Sequence, residues 1–394
     1  MADYHVKNGT VHTMGSLGVI PKGELLITDG KITAVGTDLQ TPAGFTIIDA
    51  KGLVVMPGMI DSHCHVGMIG AGVGWAGDEL NEMSSPVTPE LRAIDGINPL
   101  DESFLEGLQA GITTVATGPG SANVIGGTFA VLKTAGSTVD EMLVLNPLAM
   151  KMAFGENPKR VYGHKDKSPM TRMASAALIR TWLSKAVEYA RKKDSALASA
   201  DPKAAPGYDS QLEALEMVIR RQIPIKAHAH RVDDILTALR IAKEFNVDIT
   251  LDHCTEGHLI AKELGGCGRG IIVGPSFLFK SKVELKNRTF KTVKALVDAG
   301  ALVAIMTDLP CSPLSFLPTA VGMALREGLS AQDGMACVTI NPARILGLAD
   351  RLGSLEVGKD ADLLIHDPEV FTNLLSRNHL TMVDGRIVYE NWQN

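Results

Sequence analysis

Short β-type hydrophobic runs alternate with turn signals at both ends of the chain. In residues 1–55, apolar runs such as Leu25–Ile27 lead into Asn-Gly and Asp-Gly steps, which are typical of tight hairpin turns. Near the other end, Leu363–Ile365 is followed by a later strand pair that turns at Asp384-Gly385. Because chain termini often lie close together, we predict that residues 1–55 and 350–394 form one small β-sandwich domain.

The middle of the chain alternates short apolar runs with amphipathic helical patterns. The segment 231–246 places Ile235, Leu239, Ala242 and Phe245 on one helical face. About 280 residues of this alternation fit a (β/α)₈ barrel, and the rival doubly wound sheet lacks its glycine-rich dinucleotide fingerprint. We therefore predict an α/β protein with a barrel over residues 56–349. Its predicted strands include 112–116, 223–229, 247–252, 270–273 and 301–306.

Two stretches lack clear periodicity, 151–169 and 195–208, and we interpret them as long loops. Long loops after barrel strands usually serve the active site.

The composition excludes several classes of protein. The net charge of -6 argues against a general nucleic-acid or anionic-membrane binder. Five widely spaced cysteines favour free thiols in a reducing compartment. The chain has no apolar run long enough to cross a bilayer and no signal-peptide pattern at its start. We expect a cytoplasmic homo-oligomer that acts on a small molecule, without nucleic-acid or membrane partners.

A His-x-His pair at the end of an apolar run is the sharpest chemical signal. Side chains two apart on a strand share a face, so His63 and His65 would point together into the barrel mouth and Cys64 away from it. Two imidazoles suit a divalent transition metal such as zinc. Such pairs are nevertheless common outside metal sites, and Cys64 fits a small core residue best.

Further ligand-type side chains follow later predicted strands. These are His228, His230, His253 and Asp308. Each one alone is more often a buried polar group with an ordinary partner. Barrel enzymes keep their chemistry at the carboxyl ends of the strands, so together they indicate a metal site there.

The motifs resemble those of the amidohydrolase superfamily of metal-dependent hydrolases over essentially the whole chain. The resemblance rests on Pro57-Gly58-x-Ile60-Asp61-x-His63-x-His65, on Thr307-Asp308 and on the tail from Gly353 to Leu363. Ala227-His228-Ala229 and Asp252-His253 are most similar to the branch of imidazolonepropionases and metal-dependent Xaa-Pro dipeptidases. The resemblance implies a distorted (β/α)₈ barrel with a β-sandwich built from both termini.

The resemblance also implies a ligand set for one or two divalent ions, of which zinc is the one we expect. The implied ligands are His63, His65, His228, His253, Asp308 and Lys151, the last as a carboxylated lysine that bridges two metals. A lysine inside an apolar strand is costly to bury as a cation, and its neutral amine could take up CO₂. The alternatives are a lysine that reaches the rim or pairs with Glu156. In that case Glu156 is the fallback ligand, and we expect one metal.

Asp308 is the predicted general base for a metal-activated water and the later acid for the leaving nitrogen. His230 is the candidate donor to the oxyanion, although it could instead orient a neighbouring ligand. Arg160, Tyr162 and Arg231 follow strand ends and are candidate contacts for a substrate carboxylate. The prediction is hydrolysis of an amide, linear or cyclic, in a small molecule that carries a carboxylate.

Two rival functions stay open at this point. A nucleobase deaminase would use an acid near the fifth-strand histidine, where Arg231 stands, although His253-x-x-Glu256 offers a superficial match. A non-catalytic scaffold on the same fold would be expected to lose ligands, and this chain keeps every one.

Overall fold

The computed structural model describes residues 2–70, 72, 74–199 and 205–392. The strands in this part of the chain are β1 (Tyr4–His12), β2 (Val19–Thr28), β3 (Lys31–Gly36), β4 (Thr46–Asp49), β5 (Val54–Pro57), β6 (Met59–Cys64), β7 (Ile112–Thr117), β8 (Ile125–Lys133), β9 (Leu143–Ala153), β10 (Ile225–Ala229), β11 (Ile249–His253), β12 (Ile271–Val273), β13 (Val303–Ile305), β14 (Leu363–His366), β15 (Asn378–Val383) and β16 (Arg386–Glu390). The α-helices are α1 (Glu102–Gln109), α2 (Val139–Met142), α3 (Glu156–Gly163), α4 (Arg172–Ser199), α5 (Ser210–Ile219), α6 (Val232–Phe245), α7 (Ala261–Leu264), α8 (Lys291–Asp298), α9 (Leu317–Arg326), α10 (Ala331–Ala336) and α11 (Ile340–Ile345).

Both ends of the chain contribute to one eight-stranded sheet. Its hydrogen-bonded order is β16-β15-β14-β5-β1-β2-β3, with β4 paired to β1. The two ends of the chain join where β5 runs antiparallel to β14 and Val55 lies opposite Ile365. Both of these side chains are fully buried in a separate apolar core, with Leu25 and Met382 among its other members. The predicted partnership of the two termini in a small β unit is confirmed.

The second sheet has eight strands in the order β13-β12-β11-β10-β9-β8-β7-β6 and forms a nearly closed barrel. The first strand is hydrogen-bonded to the segments beyond the last: Asp308 N, after β13, donates to the His63 carbonyl oxygen (3.2 Å), and Ile60 N donates to the Val338 carbonyl oxygen (2.8 Å) between α10 and α11. The predicted α/β barrel is confirmed.

Strand β8 departs from the expected parallel pattern. It pairs antiparallel with both β7 and β9, and all nine of its residues are buried. The sequence reading did not identify it, because it follows β7 after a short loop without the crossover helix that marks a parallel strand.

The prediction of a long loop is wrong for most of 151–169 and for the first five residues of 195–208, whereas residues 205–208 are irregular as predicted. Residues 151–153 belong to β9, α3 occupies 156–163, and α4 extends to Ser199. The first segment reads as a loop because it is rich in Gly, Pro and charge, yet proline is tolerated in the first turn of a helix. Residues 200–204 of the second segment lie outside the described residues. No helix in the described ranges is both long enough and apolar enough to cross a membrane.

A buried lysine connects the barrel to the terminal sheet. Lys133, at the end of β8, donates to Asp362 Oδ2 (2.6 Å) and Asp360 Oδ2 (3.3 Å), and lies 3.0 Å from Asp384 Oδ1. Its side chain is 4% exposed, and those of Asp360 and Asp362 are 3% and 6% exposed. This buried cluster of charges connects the barrel to the terminal sheet. It stabilises that contact only while every charge keeps its partner.

Candidate active site

The first predicted group of ligands forms at the junction of the first and last barrel strands. His63 lies on β6 and His65 directly after it, and Asp308 follows β13. Asp308 Oδ1 is 3.4 Å from His63 Nε2 and 3.2 Å from His65 Nε2. All three side chains are buried, and their ligand atoms lie within 4.8 Å of one another.

A second group of imidazoles lies beside the first. His228 is on β10, His230 follows it, and His253 ends β11. His228 Nδ1 is 2.7 Å from His253 Nε2, and the ring of His230 stacks on that of His253 at 4.5 Å. The two groups meet where the rings of His63 and His253 lie 5.4 Å apart.

In two of these rings Nδ1 donates a hydrogen bond to a backbone oxygen, and Nε2 faces the centre of the site. Nδ1 of His65 donates to the carbonyl oxygen of Gly118 (2.6 Å), and Nδ1 of His253 donates to that of Gly274 (2.9 Å). Nδ1 of His63 lies 3.0 Å from Asp252 Oδ2. The Nε2 lone pairs of His65 and His253 are therefore directed inward, as metal ligation requires.

Burial keeps His63 and His253 neutral. It lowers the pKa of His63 to about 4, helped by the Lys151 charge, and it lowers the pKa of His253 well below its usual value, helped by His228. Burial would raise the pKa of Asp308, but hydrogen bonds with His63 and the neighbouring histidine outweigh it and hold the pKa well below its usual range. Neutral imidazoles beside a carboxylate form a donor set that fits a divalent transition ion.

Lys151 lies between the two groups, on the fourth barrel strand. Its side chain is fully buried, with Nζ 3.3 Å from His63 Nε2 and 3.6 Å from Asp252 Oδ2. Burial lowers its pKa to about 8 against the opposing charge of Asp252. The side chain neither reaches the rim nor pairs with Glu156. Instead, the backbone amides of Glu156 and Glu284 each donate to the carboxylate of the other residue.

Sequence reasoning missed an ion pair beneath this site. Lys226 Nζ donates to Asp252 Oδ1 (3.0 Å) and to the carbonyl oxygen of Ser62 (3.0 Å). Burial would raise the pKa of Asp252, but the Lys226 charge and the contact with His63 outweigh it and lower the pKa. The available signal was a charged residue inside each of two apolar strands, because a buried charge needs a partner.

Asp61 is the second missed residue, although it stands within the quoted motif. Its carboxylate accepts hydrogen bonds from the backbone amides of His63 and Thr307, each 3.1 Å long, and one of 2.5 Å from the Thr307 hydroxyl. Asp61 therefore fixes the end of β6 to the segment that carries Asp308.

Two of the three predicted substrate contacts make other contacts in the structure, and the third, Arg160, is exposed on α3. The buried Tyr162 hydroxyl lies 2.6 Å from the Ser85 carbonyl oxygen and 2.5 Å from Asn123 Oδ1. The Arg231 guanidinium pairs with both oxygens of Asp233 (2.9 Å each). Their role in substrate binding stays a prediction.

The acid that suggested a deaminase is occupied elsewhere. Glu256 accepts hydrogen bonds from the backbone amide of Val232 (2.9 Å) and from Asn287 Nδ2 (2.8 Å), one on each oxygen. It therefore connects α6 to a neighbouring loop.

A barrel that gathers imidazoles, a carboxylate and a buried lysine at the carboxyl ends of its strands belongs to the class of barrel enzymes with a metal-type centre. A family model described as the amidohydrolase family matches residues 54–388. The chain belongs to the amidohydrolase family. It is a hydrolase that acts on carbon–nitrogen bonds.

Individual relatives agree with this assignment. A crystal structure of an amidohydrolase from Thermotoga maritima MSB8 has a TM-score of 0.94 and 41% identity, and the match covers 98% of this chain and 100% of that one. An amidohydrolase, tasK, of Hapsidospora irregularis is 30% identical over 88% of this chain, which spans only 38% of that relative's length. An imidazolonepropionase of Streptomyces griseus is 24% identical, covering 97% of this chain and 94% of its own.

A solved prolidase bound to N-methylphosphonate-L-proline has a TM-score of 0.64 at 16% identity, which is a likeness of fold.

Proposed function

We propose that this protein is a metal-dependent amidohydrolase that cleaves an amide bond, linear or cyclic, in a small molecule bearing a carboxylate. The observation that carries the proposal is the convergence of two buried groups of ligand-type side chains, with the second nitrogen of several rings already committed to a protein oxygen. The imidazolonepropionase relatives act, by name, on a ring that carries a propionate, which supports this substrate class.

The residues that would hold one or two divalent ions, zinc by preference, are His63, His65, Lys151, His228, His253 and Asp308. A divalent transition ion in this centre would lower the pKa of a water molecule and polarise a carbonyl group.

Asp308 is the proposed group that moves the proton of the reaction. Its Oδ1 lies against His63 on β6 and His65 directly after it, so a water between these groups can pass its proton to the carboxylate. The water oxygen forms the new bond to the carbonyl carbon, and the carbon–nitrogen bond then breaks. The leaving nitrogen takes the proton from Asp308, which returns the carboxylate to its starting state.

His230 is the proposed donor to the oxyanion. Its Nδ1 lies 2.7 Å from Thr255 Oγ1, so that the hydroxyl can donate to Nδ1 and leave the ring proton on Nε2. Donors aimed at the developing negative charge stabilise the transition state more than the substrate.

Lys151 is proposed to be carboxylated. Its lowered pKa of about 8 leaves a useful fraction of neutral amine near neutral pH. The amine lone pair would attack CO₂, form the nitrogen–carbon bond and release one proton, and the resulting carbamate would offer two oxygen ligands beside His63 to the divalent ions.

The test is hydrolysis by protein whose metal content is known. We expect one or two transition-metal ions per chain after growth in zinc-supplemented medium. We expect cleavage of members of a panel of N-acyl amino acids, dipeptides and cyclic amides. Asp308→Asn should lower kcat by about 10²–10⁴-fold, whereas His379→Asn, which alters a histidine of the terminal sheet paired with Asp367, should retain the wild-type kcat.

The outcomes separate the rival functions. Activity on neutral esters alone would reject the proposal, and ammonia release from purines or pyrimidines would replace it with a deaminase. Protein that binds no metal and cleaves nothing would indicate a scaffold.

A further inference from the structure

A fully buried carboxylate that no motif of the family marks lies against the second group of histidines. Glu284 follows β12 on a short turn, Val283–Leu285, and its side chain has no exposed surface. Its Oε1 lies 3.6 Å from His230 Nε2, 3.9 Å from His228 Nε2 and 2.9 Å from Lys282 Nζ. One oxygen thus faces two imidazoles and an ammonium.

The surrounding chain holds this carboxylate firmly in place. Glu284 Oε2 accepts a hydrogen bond from the backbone amide of Glu156 (3.0 Å), at the start of α3. Gly155, with φ of 92°, leaves room for it, because a Cβ there would lie 2.8 Å from Glu284 Oε2 and 2.7 Å from Asp234 Oδ2. The carboxylate is therefore held in one position beside His230, His228 and Lys282.

In His228 the ring proton has two competing positions, Nδ1 facing the Nε2 atom of His253 and Nε2 facing Glu284. The rings of His65 and His253 donate from Nδ1 to backbone carbonyl oxygens. In His228, by contrast, Nδ1 faces the Nε2 atom of His253 at 2.7 Å, and Nε2 is buried without a hydrogen-bond partner among the described residues. A neutral imidazole carries one proton, and a carboxylate 3.9 Å from Nε2 favours its placement there.

We propose that Glu284 is a positioning residue that keeps the proton of His228 on Nε2, so that the Nδ1 lone pair is available to a divalent cation. This inference rests on the proposed metal centre. A carboxylate behind a ligating histidine fixes the orientation of the ring and raises its basicity, and the loss of such a partner lowers metal affinity about 10–100-fold.

The experiment titrates chelator-stripped protein with Co²⁺, using a competing chelator and the visible absorption of the bound ion. In Glu284→Gln the amide NH₂ can donate to Nε2, which moves the ring proton to Nδ1 and blocks the lone pair. We expect one cobalt-binding step to weaken by about 10–100-fold and its absorption band to change. Glu284→Asp, which keeps the charge but withdraws it, should fall between the two.

Asp234→Asn is the matched control. Asp234 is 3% exposed and lies beside Glu284, but its carboxylate pairs with Arg172 Nε at 2.9 Å rather than with a histidine. A purely structural role predicts similar losses of stability and unchanged cobalt affinity in both amide variants. We expect instead that Asp234→Asn binds cobalt like the wild type.

The results separate a failure of the proposed metal centre from a failure of the role proposed for Glu284. If the wild type binds no cobalt, the proposed metal centre fails. If the wild type binds one or two ions and Glu284→Gln binds them equally well, the metal centre stands and the role of Glu284 is overturned. Should Glu284→Gln not fold, the same comparison is made with Glu284→Asp, and wild-type affinity in that variant overturns the proposal.

Discussion

Replacing Lys133 with methionine should weaken the connection between the barrel and the terminal sheet. Methionine keeps the length and much of the volume of the side chain but removes the charge. Three carboxylates face the ammonium, and they differ in the cations or water that remain near them after the substitution. Asp360 keeps Arg351 at 2.9 Å and also keeps Lys31, while Asp384 is 36% exposed and stays hydrated. Asp362 is the one that is left buried without a cation.

The loss of folding stability comes from the Asp362 carboxylate, which the substitution leaves buried without a cation. Removal of one partner from a buried ion pair destabilises a protein by about 3–5 kcal/mol. Because two of the three carboxylates keep a cation or water, we expect the lower end, about 3 kcal/mol. Lys133→Met/Asp362→Asn removes the orphaned charge and should recover about half of the loss.

The assay is urea unfolding at neutral pH, followed by far-UV circular dichroism. Lys31→Met is the control, because Lys31 pairs with the same Asp360 but its side chain is 47% exposed. A surface pair of this kind contributes about 0–1 kcal/mol.

The difference between the wild type and Lys133→Met should also depend on pH in a defined direction. Burial would lower the pKa of Lys133, but Asp362 and Asp384 outweigh it and raise the pKa above 10.5. A raised lysine pKa contributes stability that is complete below the unfolded value and is lost as the pH rises through the folded value. Burial would likewise raise the pKa of Asp360, but Lys31 and Lys133 lower it, so that its share is lost as the pH falls below about 3.8. A cost under 1 kcal/mol, or one that the double variant does not reduce, would refute this reasoning.

Three further substitutions test the site and its supports. Asp308→Asn should lower kcat by about 10²–10⁴-fold on the substrate that the panel identifies, and a loss of less than tenfold would contradict its role as base. Asp61→Ala should cost about 3 kcal/mol in urea unfolding, because it orphans buried donors that include the Thr307 amide and hydroxyl, and an unchanged midpoint would contradict this. Gly58→Ala should cost about 1–3 kcal/mol, because the new Cβ would lie 2.2 Å from a threonine oxygen on β7. Gly207→Ala, with nothing within 4 Å, should change stability by less than about 0.5 kcal/mol.

The sequence predicted the barrel and several of the candidate ligand residues because both depend on local patterns. Strand alternation places His63 and His65 on one face, and apolar runs that end in a polar residue indicate where strands stop. The structure brings these side chains together with Asp308 as expected.

Pairing across the fold was harder to foresee. Lys133 stands 227 residues before the first of its carboxylate partners in the chain, and no local pattern connects them. Glu284 lies in a segment that reads as an exposed, charged loop, and only the packing of α3 against it explains its burial. Both residues are charges whose partners come from another element, which a single sequence cannot reveal.

The backbone at the strand ends explains why alternation alone could not complete the site. Asp252 and His253 are adjacent, so on a regular strand only one of them would face the barrel interior. His253 and Cys254 instead have φ of 70° and 47°, and Asp308 has φ of 54°, which is a left-handed conformation that non-glycine residues seldom adopt. The strand thus ends in a turn that directs Asp252 toward His63 and His253 toward His228. Such strain is costly and concentrates at functional positions. The candidate ligands His253 and Asp308 therefore lie where the regular strand conformation ends and the backbone becomes left-handed.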